Sequence, residues 1–221
     1  TKDIPQDRVM NPDPSIAGPA LQGLAFNHEN DDLRNMYLNL ISASIDSAKE
    51  SSTHPAFVDI LRQITPFEAQ IMGSLFEDPT SPTARVVLVR SDLKDNEKVD
   101  VPPIVVKQHL LNIVDSVTEE FSVDPRIELM VENFVRLGLA TVEYSTKLAD
   151  DDQYEWAHRH PLLFSVYGDD PDGKLVTNDG NYSFNVGLQF GVFKLTSFGK
   201  SFSIAIGEND LTIHAQYSGV V

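Results

Sequence analysis

Apolar residues recur at three- and four-residue spacing from Leu33 through Met36, Tyr37, Leu40, Ile41, Ile45 and Ala48, the stripe of a helix that buries one face. Asp31 and Asp32 stand at its start, where negative charge meets the positive end of the helix dipole. Phe57, Val58, Leu61 and Ile64 repeat the pattern, and Phe67, Ile71, Met72 and Leu75 repeat it again. Between these two runs lies Thr65-Pro66-Phe67-Glu68, a complete helix start. The Thr65 side chain can accept the Glu68 N–H while Glu68 reaches back to Thr65, and Pro66 loses nothing because a first-turn N–H has no helical partner. The spacing therefore predicts two helices joined at a sharp corner. Upstream, Ile16, Ala20, Leu24 and Ala25 suit a short helix opened by Asp13-Pro14 and weakened by Gly18, Pro19 and Gly23. Residues 1–12 read as a flexible arm.

Beyond the turn-rich EDPTSPT, the β-branched run from Arg85 to Arg90 reads as a strand. Val106, Leu110, Ile113, Val114, Val117 and Phe121 then show helical spacing and predict an amphipathic helix. Asp124-Pro125 caps another, carrying Ile127, Met130, Phe134, Val135 and Leu137 and stopping at Gly138, a residue suited to the left-handed C-terminal turn. A strand over 139–144, a strand-rich stretch over 183–194 and a short helix opened by Thr196 complete the pattern. The long acidic insertion from Ala149 to Asn185 is expected to project as an enlarged wing, anchored by 161–167 with both flanks exposed. The resulting class is α+β: an amino-terminal helical bundle over 13–64, a winged-helix-like domain over 65–206 with its insertion at 149–185, and a tail or edge strand over 207–221. No repeat or heptad array supports a solenoid or coiled coil.

Charge narrows the partners. The 221 residues carry 17 Lys plus Arg against 33 Asp plus Glu, a formal charge of -16. Such a surface repels phosphate backbones and anionic lipids, so neither nucleic acid nor a membrane surface is expected as partner. The helix over 125–137, which a winged helix would insert into DNA, balances Arg126 and Arg136 with Glu128 and Glu132 and lacks a positive tip. There are no cysteines, which excludes disulfides, thiolate metal sites and cysteine nucleophiles and fits a cytoplasmic location. No apolar run approaches the roughly 18 residues of a membrane-spanning helix. The chain begins at Thr1 rather than Met, which leaves room for a missing leader.

Candidate chemistry is sparse. Asp150, Asp152, Glu155, His158 and His160 gather carboxylates and imidazoles in one stretch and form the best metal-site candidate, set against the plainer reading of a solvated acidic loop. His54 before Pro55 has no serine, acid or oxyanion partner in the pattern, and reads as a capping or packing residue at a helix entrance. Phe57, Phe67, Phe134, Phe198 and Phe202 fall on periodic faces and read as core. No cofactor is expected and no catalytic residue is assigned.

Five segments together resemble the abortive infection alpha (Abi-alpha) family of prokaryotic proteins. They are the aspartate-led helix over 31–48, the His-Pro-x-Phe start at 54–57, Ile-Thr-Pro-Phe-Glu-Ala at 64–69, Asn-Phe-Val-Arg-Leu-Gly-Leu at 133–139 and Leu-Thr-Ser-Phe-Gly at 195–199. The resemblance implies a link to phage defence, in which an infected cell halts growth before progeny mature, and carries over no active-site residues. The expected function is a non-enzymatic interaction protein that binds a protein partner through the bundle or the acidic insertion, with self-association left open. A metal-dependent enzyme using the acidic insertion and a DNA-binding winged-helix regulator are the alternatives.

Overall fold

The computed structural model describes residues 4–92, 101–115, 118–167, 174–176 and 182–207. It contains α1 (Pro14–Asn27), α2 (Asp31–Ala43), α3 (Ala56–Leu61), α4 (Pro66–Glu77), β1 (Thr80–Asp92), β2 (Ile104–Leu110), α5 (Arg126–Arg136), β3 (Ala140–Glu143), a 3-10 segment (Asp151–Arg159), α6 (Pro161–Tyr167), β4 (Lys174–Val176), β5 (Tyr182–Leu195) and α7 (Ser197–Ile206). The fold is mixed helix and strand, with an amino-terminal helical region and an antiparallel sheet, as the α+β reading predicts. Two compact units form, one from the described residues of Thr1–Pro79, Arg136–Ala140 and Leu195–Val221, the other from those of Thr80–Val135 and Thr141–Lys194.

In the first unit α2 is the central helix, packing against α1, α3, α4 and α7. Leu33, Met36, Tyr37, Leu40 and Ala43 are buried along its stripe, while Ile41 and Ile45 are half-buried. The helix ends at Ala43, short of the Ala48 that the periodicity reaches. The chain then turns so that Asp46, buried, receives Arg8: Nε donates to Oδ1 at 2.9 Å and Nη2 to Oδ2 at 2.5 Å. Met10 N–H donates to Ile45 O and Ser47 N–H to Arg8 O, so part of the predicted arm is pinned by an ion pair and backbone pairing. The corner between α3 and α4 is the predicted capping box, with Thr65 N–H donating to Glu68 Oε2 at 2.6 Å and Glu68 N–H to Thr65 Oγ1 at 3.2 Å. It lies within this unit. His54 Nδ1 accepts the Ala56 N–H and its ring packs on Phe57 and Phe198, as the capping reading expects.

In the second unit the strands run β2-β1-β5-β3, with β4 pairing β5. Ala84, Val86 and Leu110 form a core with Trp156, Ala157 and Leu163, and Phe121, Leu188 and Phe190 pack on it. Two expectations fail here. The helix predicted from Val106 to Phe121 is instead β2 followed by irregular chain closed by a Val114–Phe121 bridge; Val117 lies outside the described residues. Ile104-Val105-Val106 is β-branched and follows Pro102-Pro103, so pairing with β1 prevails over a helical spacing produced by sparse apolar positions. The insertion also does not stand away from the sheet with both flanks exposed. Its first flank packs against β1, burying Tyr154, Trp156 and Ala157, because two large aromatic rings gain more from the sheet face than the surrounding carboxylates lose at its rim. Residues 168–173 and 177–181 of the insertion, and 208–221 of the predicted tail, lie outside the described residues. Among the described residues no helix is long and apolar enough to cross a membrane.

Candidate functional site

The chemistry-bearing side chains of the second unit gather at the end of β2. Pairing with β1 steps from Ala84–Leu110 to Val86–Lys107 to Val87–Val105, so β2 carries extra residues and bulges twice. At the first bulge His109 adopts a φ of 51°, the left-handed region that costs a non-glycine residue on the order of 1–3 kcal/mol. Bulges re-aim side chains, and here the histidine is turned to Tyr144. His109 N–H donates to the Tyr144 hydroxyl at 3.2 Å and His109 Nδ1 lies 3.1 Å from the same oxygen. The phenol is clamped in turn: the Arg85 guanidinium lies 4.3 Å from its ring centre, and Arg85 donates to Gln189 Oε1 while Gln189 Nε2 donates to Tyr144 O. Burial lowers the His109 pKa, with Arg85 adding to the effect and Glu132 opposing it. Burial likewise raises that of Tyr144.

His109 lines a cleft of about 150 Å³ together with Lys107, Leu111, Val123, Asp124, Glu128 and His160. His160 is only 1 % exposed and sits among the rings of Phe121 and Trp156. Burial depresses its pKa to about 4, so the imidazole is neutral near pH 7. Asp124 is held well below the usual carboxylate range, at about 2, by hydrogen bonds from the Arg126 side chain and backbone.

The five residues of the predicted metal site do not converge. His160 is turned into this aromatic nest, where its Nδ1 accepts the Leu162 N–H. His158 is exposed and packs edge-on against Phe190. Asp150 accepts the Asp152 N–H in a local turn, and Asp152 and Glu155 are exposed. No group of three or more His, Asp or Glu among the described residues is placed to hold an ion. The sequence reading missed His109, because a helical assignment of 106–121 hides it on a polar face. The strand-like Ile104-Val105-Val106 leading into it was the signal that could have exposed its position.

The remaining surface of interest is the outer face of α5. Ile127, Met130, Val131 and Phe134 are buried, while Leu129 is 67 % and Val135 42 % exposed. Glu128 and Glu132 are exposed on the same helix. An exposed leucine with a carboxylate one turn away is unsuited to a phosphate backbone and suited to a protein surface.

No curated protein and no solved structure matches the chain. The family model described as abortive infection alpha matches residues 1–206 of the 221. The chain belongs to the abortive infection alpha family, and that membership supports an abortive-infection-related role.

Proposed function

We propose that the protein acts in abortive infection without catalysis, by binding a protein partner through the outer face of α5. The observation that carries this reading is Leu129, a large aliphatic side chain left 67 % exposed on a helix whose opposite face is buried. Burying such a side chain against a partner is worth about 1.5–3 kcal/mol. Glu132, one turn on from Leu129 on the same helix, supplies a carboxylate that pairs with Lys or Arg on the partner. The overall charge of -16 favours a basic partner surface by steering and disfavours DNA, whose recognition by a helix in the major groove needs positive and polar side chains.

The test is site-specific cross-linking in infected cells. A photo-reactive phenylalanine at position 129 is expected to form a discrete protein adduct on infection. The same group at Glu29, exposed in the first unit, should form none. Equal labelling from both positions, or none from 129, would reject the assignment.

A further inference from the structure

The cleft at the end of β2 is a built pocket whose lining takes in Ile127 and Glu128 of α5 but not Leu129. Its volume of about 150 Å³ is that of a cavity able to admit one benzene-sized ring. Leu110, Leu111, Val123, Ile127 and Leu162 supply aliphatic walls. Lys107, Asp124 and Glu128 stand at its edge and Asp124 is bound to Arg126 by hydrogen bonds of 2.6 to 3.1 Å, so the formal charges of these four residues cancel. In a chain of charge -16 this leaves a locally uncharged pocket, and bringing a net ionic ligand into it would carry an uncompensated desolvation cost.

Two imidazoles, those of His109 and His160, stand among the polar residues of the lining. His160 is 1 % exposed and lines the cleft. Because its Nδ1 accepts the Leu162 N–H at 3.3 Å, the ring proton resides on Nε2, which is left as a donor. His109 is held across the shared lining by Tyr144, in a backbone conformation the fold sustains at a cost. Among the described residues this Nε2–H meets no protein acceptor, so a ligand that brings an acceptor is selected over a purely apolar one.

We propose that this cleft binds a small uncharged ring bearing carbonyl acceptors, of the lactam or pyrimidinedione class. The ring lies between the aliphatic walls and a carbonyl oxygen accepts from His160 Nε2–H. Trp156 reports on the site: it is the chain's single tryptophan and its ring centre is 6.0 Å from that of His160.

The experiment titrates the intact chain with 5,6-dihydrouracil, reading Trp156 fluorescence and the His160 imidazole NMR signals, with benzoate and benzylammonium as charged comparators. A saturable response to dihydrouracil is expected, at least tenfold tighter than to either ion. His160→Phe, which keeps a ring in the aromatic nest, should weaken binding at least tenfold. Val123→Phe, a change at an exposed lining position, should do the same by filling the cleft and serves if the first variant does not fold. No saturable response, equal affinity in a folded variant and the parent, or preferred binding of benzoate or benzylammonium would overturn the proposal.

Discussion

His109 and Tyr144 satisfy one another twice, the backbone N–H of the histidine donating to the phenol oxygen at 3.2 Å and its ring Nδ1 lying 3.1 Å from it. This pairing holds a non-glycine residue at φ 51° inside a β-bulge. Removing the hydroxyl strands a half-buried donor, so Tyr144→Phe should lower unfolding stability by about 1–3 kcal/mol, measured by denaturant titration. His109→Gly, which accepts the left-handed backbone without strain, should cost less than about 1 kcal/mol.

Acid should act through His160. The unfolded chain protonates this imidazole near pH ~6.5, the folded chain only near 4, so between these values the unfolded state binds more protons. Stability from this group is fully present above pH ~6.5 and is lost as pH falls toward 4, by up to about 3 kcal/mol. Thermal melts across that window should show the decline, and His160→Phe should flatten it.

The core of the first unit depends on α2. Leu40 is fully buried and Leu38, two positions earlier, is 43 % exposed. Leu40→Ala should therefore cost about 2–5 kcal/mol and Leu38→Ala less than about 0.5 kcal/mol. A small loss at Leu40 would show that the stripe is not a core face.

Gly199 admits no side chain. A Cβ there would overlap the carbonyl oxygen of Leu139, because α7 starts tightly under the Thr196 cap, whose Oγ1 accepts the Gly199 N–H at 2.9 Å. Gly199→Ala should destabilise by about 1–3 kcal/mol or more, visible as a drop in melting temperature.

Helix starts and stops were legible where one residue decides them. The Thr65–Glu68 box, the Asp13 and Thr196 caps and the left-handed Gly138 are local chemistry, and the structure contains each. The β2 segment was not legible, since strand pairing with β1 is a long-range contact that overrides a helical spacing. Arg8–Asp46 escaped for the same reason, its partners lying on either side of two helices in sequence. The candidate site was legible only in part. The residue types single out His160, and its place among the rings of Phe121 and Trp156 depends on the fold. The strand-like Ile104-Val105-Val106 could place His109 at a strand end, but not the bulge that turns it toward Tyr144.

Phage challenge of cells carrying the chain with Leu129→Lys and Val135→Lys together decides whether protection works through a protein contact on α5. Both positions are exposed, so melting temperature and cellular level should match the parent. Plating of the phage should rise to that of cells lacking the protein. Protection equal to the parent's, from a variant that is folded and present at the same level, would contradict a role for that contact.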